Sequence, residues 1–371
     1  MVTCFVSTTF GRAPFLSEQL VRSLDESFPG VFCFSVGVGA LGTKAMRSAL
    51  QVYNSKASLG NIRGFLDIGK DRALLAVPMD AMSPAPDQTV GKGKDQLALS
   101  SLTEEKVVMN IDEYCRLSRD LMGAGLVVCP YECINGTHSR KHVDRALLRT
   151  KTWTQSCLTS GGSACKFYVP LVGGTVEQLE KCLENALSSK GCDDSSIVEG
   201  FVLCNVTVVS PALRNTMIET IVSRVGPEKP VSVLLGACSP ADILDAISRG
   251  ITSFETSLPY VLTKLNQALC FEIDLEDVKP GQGVVNFCLR DLDMAEDSSP
   301  IVEACSCWAC LNHSRAYVHH LLDTKEMLSQ MLLFTHNTHM ILSLTLYMGS
   351  LGSLEKKKAF TTAWKQAHGI N

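Results

Sequence analysis

Residues 305–310 read Cys-Ser-Cys-Trp-Ala-Cys, and a histidine follows at position 336. The spacing of these residues is C-x-C-x2-C-x25-H. Zinc favours four-coordinate tetrahedral sites made of thiolates and imidazole, and Cys305, Cys307, Cys310 and His336 together supply such a set. Because no position is left open for water, we predict one structural Zn²⁺ ion rather than a hydrolytic centre.

The residues before His336 predict that it lies on a helix. Asp323 and Glu326 have the spacing of a capping box, in which two side chains satisfy free N–H groups at a helix start. Apolar residues then recur at helical spacing over 327–332, and the same helix reaches His336. A cysteine-rich turn and a helix are thus predicted to share one metal ion, which stabilises small modules by about 10–16 kcal/mol in peptides.

Two alternatives to this ligand set stay open. Three cysteines can cluster by chance in a chain that contains 16 of them. His319 and His320 are competing imidazole ligands, although they lie outside the helix predicted for His336.

The composition is that of a folded protein with a large core. The chain has 371 residues and a mass of 40.2 kDa, enough for one large barrel or two domains, and 46% of its residues are hydrophobic. Its net charge of −4 argues against a strongly basic nucleic-acid-binding protein but leaves room for a local basic face. One helix, predicted over 139–156, carries such a cluster: Arg140, Lys141, His142, Arg145, Arg149 and Lys151. This cluster is either a surface that follows phosphates or an ordinary solvated helix face.

The N-terminus and the cysteines bear on the compartment. The first residues lack a positively charged segment followed by an apolar core, so no secretory signal is predicted. No run of 18 apolar residues predicts a transmembrane helix. The 16 cysteines then indicate free thiols in a reducing compartment, and we expect a soluble protein.

Short apolar strands alternate with helices from Asp112 onward, beginning with a helix over 112–122. The predicted strands cover 126–129, 167–172, 200–203, 231–235 and 251–255, and the helices between them cover 139–156, 176–187, 211–225 and 240–250. Such alternation is typical of parallel βα units. Together with a buried strand over 31–38, it favours an irregular (β/α)8 TIM barrel over a doubly wound sheet.

The chain divides into three predicted regions. Residues 1–290 form the barrel with a divergent N-terminal part, residues 291–350 form an inserted zinc-binding subdomain with its helix, and residues 351–371 form a basic C-terminal tail. The loop over 83–95 holds two Gly-Lys pairs, but they lack the spacing and the following Ser or Thr of a phosphate-binding loop.

Several motifs in the C-terminal half resemble those of the tRNA-guanine transglycosylases. The cysteines are followed by Ser-Arg-Ala-Tyr-Val-His-His at 314–320, Glu-Met-Leu at 326–328 and His-Asn at 336–337, a combination similar to that family's zinc region. Phe-Glu-Thr-Ser-Leu-Pro at 254–259 extends the resemblance, more weakly, back towards Tyr131. The family implies a (β/α)8 barrel with an inserted zinc subdomain.

The resemblance also implies an activity, the exchange of the wobble guanine for queuine in tRNAs with GUN anticodons during queuosine biosynthesis. This reaction needs a carboxylate that attacks the ribose, an aspartate that handles protons, and residues that read the base. Glu255 occupies the nucleophile position, where the family has aspartate, at the C-terminal end of a barrel strand. Its extra methylene moves the carboxylate by about 1 Å, a displacement that can cost roughly a hundredfold in rate.

Other catalytic positions depart further from the family pattern. The Asp-Glu-Cys motif is Tyr-Glu-Cys at 131–133, and the Gln-Gly-Gly motif is Val-Gly-Gly at 172–174, so two base-reading side chains are replaced. The motif that carries the proton-handling aspartate has no counterpart, and we do not assign its role to Asp80.

An intact zinc motif beside replaced base-reading residues resembles the accessory, non-catalytic branch of the family. The resemblance implies that the chain has no catalytic residue of its own and forms a heterodimer with a catalytic homologue, through surfaces near the zinc module. It implies contact with tRNA through that complex, no integral membrane segment, and either a free cytoplasmic location or peripheral attachment to the mitochondrial outer membrane. Two other hypotheses stay open: a divergent transglycosylase with Glu255 as nucleophile, and a zinc-stabilised scaffold unrelated to tRNA.

Overall fold

The structure is a computed structural model of the chain. It describes residues 2–9, 13–56, 63, 73–79, 96–100, 106–121, 123, 125–160, 165–275, 280–281 and 283–370. Asp80 and the loop over 83–95, both considered above, lie outside these residues.

Eight parallel strands close into a barrel, which confirms the predicted (β/α)8 fold. The described strands are β1 (Thr3–Ser7), β2 (Phe32–Gly37), β3 (Leu74–Val77), β4 (Gln96–Ser100), β5 (Lys106–Asn110), β6 (Leu126–Val128), β7 (Lys166–Leu171), β8 (Val198–Leu203), β9 (Val231–Gly236), β10 (Ser253–Thr256), β11 (Gln267–Leu269) and β12 (Asn286–Cys288). The barrel contains β1–β3 and β6–β10 in chain order, and β10 pairs with β1 to close it. Its strands are buried on both faces, as nearly continuous apolar runs require.

Helices connect the barrel strands and build the C-terminal part of the chain. They are α1 (Glu18–Ser27), α2 (Val38–Leu41), α3 (Lys44–Lys56), α4 (Ile111–Arg116), α5 (Arg140–Ser160), α6 (Val176–Leu187), α7 (Pro211–Val225), α8 (Pro240–Ser248), α9 (Leu258–Lys264), α10 (Trp308–Asn312), α11 (Arg315–Asp323), α12 (Met327–Ser350) and α13 (Leu354–Ala367). None of the helices in the described part of the chain is both long and apolar enough to cross a membrane.

Helix α8 begins at Pro240, as predicted, and ends at Ser248, two residues before the predicted end. The hydroxyl of Ser239 accepts a hydrogen bond from the N–H of Asp242, whose carboxylate accepts one from the N–H of Ser239 in return. Pro240 occupies the first turn, and Gly250 follows with a φ of +101°. The predicted helix from Asp112 is shorter than expected, because α4 ends at Arg116 and a π-helical turn continues to Leu121.

An antiparallel hairpin of β4 and β5 packs outside the barrel and was not predicted. Gly42, at the end of α2, lies directly beneath it. A Cβ atom at this position would lie 2.6 Å from Val107 Cγ1 and 2.7 Å from Met109 Cε. A glycine therefore lets the hairpin approach the helix end closely.

The C-terminal part holds the two-stranded ribbon of β11 and β12 and the helices α10–α13. The 24-residue helix α12 is buried over most of its circumference, and α13 packs against α8. The Trp364 indole of α13 is fully buried and donates to the carbonyl of Glu272 at 2.9 Å.

The predicted capping box before α12 is wrong. Asp323 is the last residue of α11, where its carboxylate contacts Arg290 and His319. Lys325 then adopts a φ of +58°, a left-handed conformation that separates the two helices. The N-cap residue of α12 is Glu326, whose side chain makes no capping hydrogen bond.

Candidate metal centre and barrel mouth

The structure brings the four predicted metal ligands together. One potential ligand atom from each of Cys305, Cys307, Cys310 and His336 lies within 4.8 Å of all the others. All four side chains are buried, and His336 is fully inaccessible. Three sulfurs and one imidazole nitrogen in a closed, buried group match the donor set of a structural zinc site.

The cysteines lie at the beginning of α10. Cys307 is its N-cap residue, and its sulfur accepts a hydrogen bond from the N–H of Cys310 at 3.3 Å. Hydrogen bonds from the neighbouring thiols of Cys307 and Cys310 hold the pKa of Cys305 well below its ordinary value. The thiolate, the form that binds metals, is thus favoured at Cys305, whereas hydrogen bonds with Cys305 and Cys310 raise the pKa of Cys307.

The ring of His336 is held in one orientation by its second nitrogen. Nε2 lies 2.7 Å from the carbonyl oxygen of Leu269, and because a carbonyl only accepts, Nε2 carries the proton. Nδ1 therefore faces the sulfurs, at 3.7 Å from Cys305, 3.6 Å from Cys307 and 3.3 Å from Cys310. Burial lowers the pKa of His336, but the nearby Cys305 and Cys310 outweigh it and raise the pKa to about 9. A backbone carbonyl that accepts from the second ring nitrogen, as that of Leu269 does here, is typical of metal-binding histidines.

The next residue fixes α12 to the ribbon. The buried amide of Asn337 accepts from the N–H of Leu269 at 2.8 Å and donates to the carbonyl of Gln267 at 2.9 Å. His336 and Asn337 together therefore satisfy three backbone groups of β11. The His-Asn pair of the sequence positions the helix as well as one ligand.

One residue near the cluster was missed by the sequence analysis. His339 lies one turn after His336, with Nδ1 at 3.6 Å from the sulfur of Cys305 and Nε2 at 3.4 Å from the hydroxyl of Ser306. Its position three residues after His336 is the feature of the sequence that could have indicated it. The competing ligand His319 lies on α11, where its Nδ1 donates to the carbonyl of Leu289 at 2.9 Å.

The barrel mouth holds the residues that stand at the nucleophile and base-reading positions of the family pattern. Glu255 on β10 is 1% exposed, and Oε1 accepts a hydrogen bond from the hydroxyl of Ser7 on β1. The hydroxyl of Ser35 on β2 lies 3.5 Å from the same oxygen, and the N–H of Gly236 lies 3.4 Å from Oε2. The carboxylate is thus anchored by three neighbouring strands at the C-terminal end of the barrel.

Apolar and aromatic groups occupy the positions that read a base in the family pattern. Val172 is fully buried, and Tyr131 is 6% exposed. Burial, followed by the nearby Cys204, Cys133 and Glu255, raises the pKa of Tyr131 well above its ordinary value, so its hydroxyl stays protonated.

The two glycines after Val172 have a packing role. A Cβ atom on Gly173 would lie 2.7 Å from the backbone nitrogen of Leu179, and one on Gly174 would lie 2.8 Å from the backbone carbon of Asn135. Glycine is thus required here by close backbone contacts, whatever ligand the mouth accepts.

Glu132 ties the loop after β6 to α5. Its side chain is buried and its carboxylate lies 3.1 Å from the guanidinium of Arg149 and 3.7 Å from His142. The N–H of Glu132 also donates to the hydroxyl of Thr150 at 3.1 Å. Arg149 and His142 are therefore turned inward, away from the solvated face of the helix.

The fold and the site together define the class of protein, a closed (β/α)8 barrel that carries a buried Cys3His group of possible metal ligands beside a two-stranded ribbon. The sequence profile described as "TGT: Queuine tRNA-ribosyltransferase" matches residues 51–349. This chain belongs to the queuine tRNA-ribosyltransferase family.

Similar proteins carry the name queuine tRNA-ribosyltransferase accessory subunit 2. The Anopheles gambiae protein is 31% identical over 346 residues, 90% of this chain and 76% of that protein. The human protein is 25% identical over 379 residues, 90% of this chain and 85% of that protein. The Aedes aegypti protein is 30% identical over 212 residues, and there the match spans only 49% of its length.

Proposed function

We propose that this chain is the non-catalytic subunit of a queuine tRNA-ribosyltransferase. It pairs with a catalytic homologue that exchanges the wobble guanine for queuine in tRNAs with GUN anticodons. The observation that carries the proposal is the complete Cys3His group in a barrel whose base-reading positions hold Tyr131 and Val172. The names of the similar proteins agree with an accessory role.

The proposal includes one structural Zn²⁺ ion, held by Cys305, Cys307, Cys310 and His336. The ion has no open coordination position for water in this set, so its role is to join α10 to α12. We assign no catalytic residue. The division into a barrel over 1–290, a zinc-binding region over 291–350 and a C-terminal region over 351–371 is part of the same proposal.

The proposed partner surface lies on the zinc-binding region. An exposed aromatic stack supports it: the ring of His313 lies 5.1 Å from Trp308 and 4.9 Å from Tyr317. Leu311 beside the stack is 70% exposed. Aromatic side chains with adjoining apolar surface are typical of protein interfaces.

The test is to mix the purified chain with the catalytic homologue and follow labelled guanine or queuine exchange in tRNA. We expect no exchange by this chain alone and exchange by the mixture, with Trp308→Ala reducing complex formation. Exchange by this chain alone that disappears in Glu255→Ala would overturn the proposal.

A second candidate is a divergent transglycosylase that uses Glu255 as nucleophile. The observation that favours it is the position of the carboxylate, at the C-terminal end of β10 and inside the barrel mouth. This candidate requires a covalent adduct between the chain and tRNA or a nucleoside analogue on denaturing gels. A chain that forms no adduct under exchange conditions excludes it.

The proposed location is the cytoplasm, with contact to tRNA made through the complex. Peripheral attachment to the mitochondrial outer membrane is the alternative location. Fractionation of cells that express the tagged chain distinguishes the two.

A further inference from the structure

Helix α5 concentrates positive charge in a chain that is acidic overall. Residues 140–151 contain five lysines and arginines and one carboxylate, whereas the whole chain has a net charge of −4. The metal cluster and the barrel mouth do not use this charge. A concentration of cations on one helix is the pattern that phosphate-binding surfaces show.

The structure separates the cations of α5 into two groups. Arg149 pairs with Glu132, and the ammonium of Lys151 donates to the hydroxyl of Ser188 at 2.9 Å. The second group is Arg140, Lys141 and Arg145, which are exposed. No acidic side chain of the described residues lies within ion-pair distance of these three. Nε of Arg145 donates to the carbonyl of Lys141 at 3.2 Å, and Asp144, which interacts electrostatically with Arg140, pairs with Lys181 at 2.8 Å.

These three side chains lie near the barrel mouth. Helix α5 follows β6, so it begins at the C-terminal end of the barrel, the end at which Glu255 lies. The ion pair of Arg149 with Glu132 fixes the helix to the loop that follows β6, in which Glu132 comes two residues after Pro130. A depression of about 430 Å³ between α5 and α6 adjoins this surface. It is lined by His138, Arg140 and Lys181 and also by the acidic Asp144 and Glu177.

We propose that Arg140, Lys141 and Arg145 form a surface that binds the phosphate backbone of RNA. Lys and Arg contacts to phosphate fix the position of a nucleic acid without reading its sequence, which suits a subunit with replaced base-reading residues. The inference rests on the proposed function in one respect: it takes that RNA to be the tRNA of the complex.

The surface fits RNA better than an anionic membrane. A helix that lies on a membrane needs a row of apolar side chains beside its cations. Over residues 140–152, Leu148 is the one large apolar side chain that is exposed, at 63%.

The test compares two triple variants in binding to tRNA at several salt concentrations. The first carries Arg140→Ala, Lys141→Ala and Arg145→Ala. The matched control carries Lys190→Ala, Lys356→Ala and Lys358→Ala, which removes the same charge from exposed positions elsewhere. Both are measured in complex with the catalytic homologue and as the single chain, after circular dichroism has shown parental folding.

Each phosphate contact contributes about 0.7–0.9 to the slope of log affinity against log salt. We expect the first variant to lower that slope by about 2–3 and to weaken low-salt binding at least tenfold, while the control keeps the parental slope. Equal slopes for the parent and the first variant would overturn the inference. So would a loss of binding to phosphatidylserine vesicles at an unchanged tRNA slope, since the surface would then bind lipid.

The two proposals fail in different ways. A complex that binds tRNA with the expected slopes but supports no exchange contradicts the accessory function and leaves the phosphate surface standing. Normal exchange with identical slopes in all variants contradicts only the phosphate surface.

Discussion

The metal cluster and the barrel mouth are both groups of buried polar side chains, but they are supported differently. In the cluster, backbone atoms hydrogen-bond to the ligand side chains. The carbonyl of Leu269 accepts from Nε2 of His336, and the N–H of Cys310 donates to the sulfur of Cys307. In the mouth, Glu255 depends on side-chain hydroxyls, those of Ser7 and Ser35, as well as on the backbone N–H of Gly236.

The difference distinguishes side chains that stabilise the fold from side chains that the family's reaction would need. In the proposed zinc site, the ion would join the cysteine segment to His336 on α12, so replacing one ligand is expected to weaken that connection. The side chains of the mouth lie in a barrel that is closed by its own strand pairing, so they can change without opening it. Under the proposed accessory function, the chain is free to change the second group but not the first.

The largest expected effect is that of Cys310→Ser. A structural zinc site contributes about 10–16 kcal/mol in peptides, which is comparable to the whole stability of a typical domain, about 5–15 kcal/mol. We expect the variant to lose bound zinc and the region over 291–350 to become sensitive to protease. Metal analysis and limited proteolysis measure both.

The control for this variant is Cys288→Ser, which alters a half-buried thiol on β12 outside the cluster. It should keep its zinc and its protease resistance. A Cys310→Ser protein that binds zinc and resists protease would show that the cluster tolerates substitution as well as the barrel mouth does.

The second effect tests whether the support of the cluster matters as much as its ligands. Asn337→Ala leaves the N–H of Leu269 and the carbonyl of Gln267 without their partner. Each buried unpaired group costs about 1–3 kcal/mol, so we expect a loss of about 2–5 kcal/mol in the free energy of unfolding by urea. The exposed Asn312→Ala should change it by less than about 0.5 kcal/mol. Equal values for the two variants would contradict the role of Asn337.

The sequence revealed the cluster because its signal is local. Three cysteines within six residues and one histidine on an apolar helical pattern are visible without a structure. The proximity of His339 to Cys305 was not, because it depends on how α12 docks against β11. The start of α12 was placed wrongly because α11 runs on through Asp323, so the apparent capping pair belongs to two different helices.

The barrel was predictable where its strands alternate with long helices, from β6 to β10. The four-residue strand β3 and the hairpin of β4 and β5 were missed, because short runs of this kind owe their conformation to neighbours rather than to their own pattern. The contact between Ser7 and Glu255 joins residues 248 positions apart, and only closure of the barrel creates it.

The third effect is expected to be small. Glu255→Gln keeps the shape of the side chain and removes a buried charge, whose desolvation cost offsets much of what its hydrogen bonds contribute. We expect the free energy of unfolding to change by less than about 1.5 kcal/mol, and the exchange rate of the complex to stay within about twofold of the parental rate. Urea unfolding and the exchange assay measure the two quantities. A loss of exchange of a hundredfold or more would show that Glu255 in the mouth is essential for the reaction. The mouth and the cluster would then not differ in their tolerance to substitution.

The smallest effect concerns Asp297 at the entrance to the zinc-binding region. Its carboxylate accepts hydrogen bonds from the hydroxyl and N–H of Ser299 and pairs with Arg315 at 2.9 Å, and these contacts lower its pKa. Because the pKa is lower in the folded than in the unfolded chain, the carboxylate stabilises the fold above its unfolded pKa, near 4. That contribution is lost as the pH falls through the folded value.

The stability of Asp297→Asn should therefore approach that of the parent as the pH falls below about 4, with the largest difference near neutral pH. Thermal unfolding of both proteins across this range measures the difference. The exposed Asp293→Asn removes a charge from the same loop without altering Arg315, and it is the control for the loss of a charge alone. A difference for Asp297→Asn that is the same at every pH would mean that the pairing with Arg315 adds nothing to the zinc-binding region, and that its stability comes from the cluster and the packing of α12.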